Sequence, residues 1–148
     1  YGSKHPDCEF THLVENVHGV IVRAKHPILK KKKIMISDFD EYGWVMREQK
    51  TFYHQHFESI YVEANKPIPQ PIVETNSIPL IIATVANTDY LGAARRADIK
   101  ALGKTDVVLL EEPFRWKRNV SIMRRRDEPL SGAGQCFIDA LLANFSRP

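Results

Sequence analysis

The stretch Pro71-Ile-Val-Glu-Thr-Asn-Ser-Ile-Pro-Leu-Ile-Ile-Ala-Thr-Val-Ala-Asn-Thr-Asp-Tyr-Leu-Gly-Ala-Ala94 decides the fold. Its β-rich opening, Ile72 to Thr75, leads into Asn76 and Ser77, two residue types whose side chains accept hydrogen bonds from the first turn of a helix. Pro79 falls in that turn, where its missing N–H costs nothing. An apolar helix is expected from Leu80 to Ala86, a stop at Asn87-Thr88-Asp89, and a second strand from Tyr90 to Ala94. Strand, capped helix and strand make a βαβ unit. Its first turn aims backbone N–H groups and hydroxyls at the positive end of a helix dipole, which suits a small anion.

Outward from this unit the chain keeps alternating. Phe10 to Asn16 and His18 to Ala24 read as two strands, the second with Gly19-Val20-Ile21-Val22 buried on both faces. Pro27 ends it and Lys30 to Lys33 fill a loop. Ser37 to Glu41 reads as a one-turn helix capped by Ser37, Gly43 to Met46 as a compact strand, and Arg47 to Lys50 as a polar turn. Thr51 caps a helix to about Ala64 with Phe52, His56 or Phe57, Ile60 and Ala64 inward. Three prolines make Asn65 to Pro71 an extended connection. Arg95 to Leu102 reads as a helix ending at Gly103. Val107 to Leu110 and Asn119 to Arg124 read as strands. A last helix starts at Pro129-Leu130-Ser131 and runs to Phe145, with Phe137, Ile138, Leu141 and Leu142 as its stripe and Cys136 as a core thiol. The pattern predicts an α/β fold with a mostly parallel sheet flanked by helices.

The chain has 148 residues, enough for one domain or for one lobe and part of a second. Its 43% hydrophobic and 26% charged content is that of an ordinary globular protein. The net charge of +3 comes mostly from Lys30 to Lys33 and Arg124 to Arg126, without interleaved aromatics, which argues against nucleic-acid contact through this chain. Two widely separated cysteines suggest no disulfide framework and point to a reducing, cytoplasmic setting. No apolar run approaches the roughly 20 residues of a membrane span. The chain begins at Tyr1 rather than Met, so it is expected to belong to a longer protein.

No glycine-rich nucleotide loop, Walker-type loop or serine elbow is present, and no nucleophile–base pair stands out, so an enzyme is disfavoured. His5, Cys8 and His12 have zinc-like spacing but lack the further ligands of a structural site, so no metal is expected. His54 and His56 diverge on one helix, and Glu111 and Glu112 diverge at a strand end. The polar groups Arg47, Gln49, Thr51, Thr75, Asn76, Ser77 and Tyr90 form a different kind of set. Each is expected beside a strand end, on one edge of the sheet, where parallel α/β folds bind ligands. Hydroxyls, amides and a guanidinium without a general base describe a binding site; the bland alternative, for Thr51 and Ser77 above all, is capping alone.

Taken in order, Arg23-x-x-His26-Pro27, the Lys-rich loop, Asp38-Phe39, Gly43 to Met46, Val73-Glu74-Thr75-Asn76-Ser77, Thr88-Asp89-Tyr90-Leu91, and Arg124 to Ser131 with Phe137-Ile138-Asp139 resemble the C-terminal effector-binding region of LysR-type transcriptional regulators over roughly residues 10 to 145. The resemblance implies a lobe of the type 2 periplasmic-binding-protein fold, a small anionic effector and no cofactor. It implies a cytoplasmic regulator that meets DNA through a helix-turn-helix outside this chain and forms a homodimer or homotetramer. The chain would then be chiefly the second lobe, with about residues 119–145 returning to the first and exposing apolar surface at Phe137 and Leu141. Two features depart from the family pattern: the turn Asn87 to Tyr90, and Ala94-Arg95 where a proline is usual. Both bear on ligand preference or on the hinge side. A solute-binding protein of a transporter, with the same fold, is the alternative reading.

Overall fold

A computed structural model describes residues 5–48, 51–103, 105–110 and 112–145. By packing, the chain divides into two units, one spanning Val17–Trp116 and the other joining the chain ends up to Asn16 and from Lys117.

The Val17–Trp116 unit is built on a sheet of order β3-β2-β4-β1-β5. Strand β1 is Cys8–Arg23, β2 Trp44–Met46, β3 Val73–Glu74, β4 Leu91–Arg95 and β5 Val107–Leu110. β2 pairs in parallel with both β3 and β4, while β1 lies antiparallel between β4 and β5. Four of these five strands therefore run the same way, as the alternating pattern predicted. The βαβ unit forms as β3, helix α2 (Ile78–Asn87) and β4, with β2 inserted between its strands.

Both faces of this sheet are buried, and the two-residue side-chain period of a strand assigns each residue its side. Val20, Val22, Trp44, Met46 and Leu91 join a core with Ile28, Phe39, Phe114 and the Phe57 and Tyr61 side chains of helix α1 (Phe52–Glu63). Ile21, Val45 and Ala94 join a second core with Ile81, Ile82 and Val85 of α2. Gly92 allows α2 to come this close. A Cβ there would stand 2.9 Å from Val85 Cγ2 and 3.1 Å from Ile81 Cγ2.

Several local expectations shift. β1 is one strand rather than two, because its sequence holds no turn signal and each half has partners: β6 (Trp116–Arg125) pairs with it, as do β4 and β5. The inward face of α1 is Tyr53, Phe57 and Tyr61, one position on from the expected stripe. Those aromatics offer more apolar area than the alternatives, and the tyrosine hydroxyls hid it in the polar–apolar pattern. Ala64 is exposed, and the Phe52 side chain lies outside the described residues. The turn Ile36–Glu41 starts before Ser37, since the Met35 N–H donates to Asp38 Oδ2 at 2.8 Å and fixes an earlier entry. Helix α3 is Arg96–Ala101, followed by Gly103 at φ 75°, the left-handed position a helix end favours.

In the other unit, Glu9 pairs with Arg124 and Glu15 with Lys117 (2.7 Å), so the first half of β1 and β6 run antiparallel. Helix α4 is Gly132–Phe145, its first turn capped by Ser131 Oγ, which accepts from the Gly134 N–H at 3.1 Å. None of its residues is buried. Phe137 is 65% exposed and Leu141 half-buried. Cys136, expected in a core, is exposed because the apolar stripe it joins is itself uncovered. Among the described residues no helix is long and apolar enough to cross a membrane, and no cluster of His, Cys, Asp or Glu is arranged to hold a metal.

Candidate functional site

Parallel pairing sends the ends of β2, β3 and β4 to one sheet edge. Arg47 follows β2 there, Thr75 to Ser77 follow β3 and open α2, and Arg95 closes β4 and opens α3. β1 runs the other way, and its register sets His18 opposite Arg95. Thr51, the N-cap of α1, lies four residues beyond Arg47.

Two kinds of side chain line this edge. The first is an aromatic wall. His18 is 1% exposed, stacks on Trp116 with centroids 4.8 Å apart, and meets the Tyr53 ring edge-on at 4.9 Å. His56 packs on Trp116 at 4.6 Å, and burial lowers its pKa against the opposing pull of Glu63. The second kind is charged. The Arg47 guanidinium carbon sits 4.4 Å above the Tyr53 ring, a cation–π contact that covers one of its faces. Among the described residues Arg47 has no ion-pair partner, and its buried Nε has no hydrogen-bond partner.

Arg95 differs. Its Nε donates to both Asp98 carboxylate oxygens at 3.0 Å, its Nη2 donates to Oδ1, and its N–H donates to Oδ2 at 3.3 Å. Asp98 is 8% exposed. Burial alone would raise its pKa, but these hydrogen bonds and the charges of Arg95 and Arg47 hold it below the usual carboxylate value. Asp98 is a permanent anion set among guanidinium groups.

The hydroxyls are engaged in local backbone bonds. Thr51 Oγ1 accepts from the His54 N–H at 3.3 Å and donates to the Glu48 carbonyl at 3.1 Å. Thr75 Oγ1 accepts from the Ser77 N–H at 3.2 Å, and Ser77 Oγ accepts from the Leu80 N–H at 3.4 Å. The Ile81 N–H reaches the Ser77 carbonyl, and Pro79 has no N–H. Within the first turn of α2, among the described residues, this leaves the Ile78 N–H without an acceptor. Asn76 is exposed beside it.

The LysR substrate binding domain model matches residues 2–146. The chain belongs to that family. A helix-turn-helix-type transcriptional regulator, GbpR of Rhizobium radiobacter, is 24% identical over 72 residues, 49% of this chain and 24% of its own length. The chain thus matches about a quarter of that curated relative. Among solved structures, the Synechocystis PCC6803 CcmR regulatory domain in complex with 2-PG superposes with a TM-score of 0.78 at 20% identity, covering 99% of this chain and 71% of that one. The effector binding domain of QuiR in complex with shikimate gives 0.70 at 20% identity, covering 99% and 69%. These likenesses establish the fold, that of a LysR-type effector-binding domain.

Of the seven residues singled out from sequence, the LysR-family fold brings Arg47, Thr51, Thr75, Asn76 and Ser77 to the shared edge. Gln49 lies outside the described residues. Tyr90 does not share the edge. It precedes β4, and the Leu91 N–H donates to the Gly43 carbonyl at 2.8 Å, so Tyr90 stands where the parallel strands begin. The mistake was directional: the 88–90 connection enters a strand rather than leaving one. Tyr53, His18, Trp116 and Asp98 were missed as edge residues, and Arg95 was singled out only as a departure from the family pattern, not as a member of the edge. Arg95 follows an apolar run, so the rule that picked Arg47 could have found it. His18 required the strand order, which no local pattern supplies.

Proposed function

We propose that this LysR-family domain is the ligand-sensing part of a cytoplasmic transcription regulator, and that a small anionic metabolite binds at the β2–β3–β4 edge. The observation that carries the reading is Arg47, a half-buried guanidinium seated on Tyr53 with no carboxylate partner among the described residues, beside the first turn of α2. In this reading Arg47 holds the anion, Thr75 and Ser77 offer hydroxyl hydrogens, and Asn76 and the Ile78 N–H donate from the turn; Thr51 joins the set once its hydroxyl turns from the Glu48 carbonyl. Gln49 keeps its sequence-based place in the set. The Val17–Trp116 unit is the second lobe, and the unit from Lys117 carries the return to the first. Effectors that bind open and closed lobe arrangements with different affinity shift a homodimer or homotetramer on DNA, which a helix-turn-helix outside this chain contacts.

A sensor rather than an enzyme fits an edge where, among the described residues, no general base is paired to a nucleophile. The family match, whose curated relative is a helix-turn-helix regulator, favours this over a transporter's solute-binding protein. The test is thermal unfolding of the chain against a panel of small carboxylates and phosphates. Sensing predicts saturable stabilisation without turnover, abolished in Arg47→Met. A ligand consumed during the assay would make the domain an enzyme, and binding indifferent to Arg47→Met would move the site elsewhere.

A further inference from the structure

An anionic effector can carry one negative charge or several, and two adjacent guanidinium groups would ordinarily favour a multiply charged anion. The structure treats the two differently. Arg95 is held by Asp98 through three side-chain hydrogen bonds, the fork-to-carboxylate geometry that fixes a guanidinium in place. Arg47 has no such partner among the described residues, and Tyr53 covers one of its faces, so its remaining contacts are its in-plane N–H groups. Those groups can pair bidentately with a carboxylate.

Resting on the edge being the effector site, we infer that Asp98 is a specificity-determining residue: by occupying Arg95 it restricts the edge to effectors carrying a single carboxylate and disfavours dianions. Asp98 does this as a resident anion. A second carboxylate on the effector, placed toward Arg95, would meet the negative charge of Asp98 in a partly desolvated setting, where like charges repel strongly. The low pKa of Asp98 means that this repulsion persists throughout the physiological range.

The test uses a matched probe pair, benzoate and phthalate, which differ by one carboxylate on the same ring. Binding is followed by NMR through the Arg47 Nε–H resonance in the chain and in two variants. The unaltered chain should prefer benzoate. Asp98→Asn keeps an oxygen acceptor for Arg95 but removes the charge, and should shift the phthalate-to-benzoate affinity ratio toward phthalate by about tenfold or more. Arg95→Gln leaves Asp98 free to pair with Arg47, and should weaken both probes by a similar factor. This second variant tests the inference even where the first fails to fold. An unchanged ratio in Asp98→Asn, or unchanged affinities in Arg95→Gln, overturns the role of Asp98 while leaving the site in place. If neither probe perturbs the Arg47 resonance in any of the three proteins, the edge is not the anion site, and both readings fall.

Discussion

The two ends of the parallel strands use the same residue types for opposite purposes. Where the strands begin, the polar groups are used up in binding one another. Arg23 Nε donates to Asp89 Oδ1 at 2.5 Å and its Nη1 to the Lys25 carbonyl at 2.7 Å. His26, 1% exposed, accepts from the Ile28 N–H through Nδ1 at 3.1 Å. That contact assigns the proton to Nε2, which donates to the Asp89 carbonyl at 3.1 Å. Where the strands end, Arg47 is seated on an aromatic ring and left without a partner among the described residues, and hydroxyls stop at capping. The first end is a clasp that joins β1 to the α2–β4 turn. The second has donors to offer a ligand. An arginine beside a strand end is thus a poor guide to function until its partners are known.

The largest effect separating the two ends should come from His26→Ala. It removes a buried ring that packs against Tyr42 at 4.5 Å and leaves the Ile28 N–H and the Asp89 carbonyl unpaired. A loss of about 3 kcal/mol in chemical denaturation is expected, with anion binding at the far edge unchanged in whatever protein remains folded. Arg47→Met should do the reverse, changing stability by only about 1 kcal/mol, the scale of a half-buried cation–π contact, while abolishing anion binding. Equal stability losses in the two variants would erase the distinction between clasp and site.

A middle-sized effect tests the caps. Thr51→Ala and Ser77→Ala each remove a first-turn acceptor and should destabilise the free chain by about 1 kcal/mol. If the hydroxyls also touch the effector, the deficit should widen when the chain is saturated with a stabilising anion. A deficit that stays constant would confine both residues to capping.

How much of this could be read from the residues follows from the range of the forces. Caps and turns are local, so Thr51, Ser77 and Gly103 announced themselves, and β5 was placed at Val107–Leu110 without shift. The alternation of short apolar runs was enough for the α/β class and for the βαβ unit. Strand direction is not local. Tyr90 was assigned to the wrong edge although its own segment read as a strand beginning there: in a parallel sheet a residue that opens a strand lies at the edge opposite those that follow strands. His18 reaches the right edge only because β1 is antiparallel to its neighbours. The stripe of α1 was misplaced by one residue for a different reason, the concealment of tyrosine's apolar area behind its hydroxyl. The family order of motifs did carry long-range information. Arg23 and His26, from one piece of it, meet Asp89, from another, in the clasp.

The smallest effect lies in the acid limb of stability, where each end contributes one depressed carboxylate. The Arg23 hydrogen bond lowers the Asp89 pKa below 3.8. At Asp98, burial pushes the pKa upward, and the Arg95 hydrogen bonds and charge outweigh it. A carboxyl whose folded pKa lies below its unfolded value adds stability above the unfolded value, and that stability fades as pH falls through the folded one. Both contributions should therefore be complete at neutral pH and decline below about pH 4, near the ordinary aspartate value. They should differ in size. The Asp89 side chain is half exposed, so solvent screening limits its pair to under about 1 kcal/mol, whereas Asp98 is buried and bonded on both oxygens. Denaturation midpoints measured from pH 6 to pH 3 should flatten slightly in Asp89→Asn and more in Asp98→Asn. The opposite ranking would mean that the clasp, and not the candidate site, holds the stronger buried charge pair.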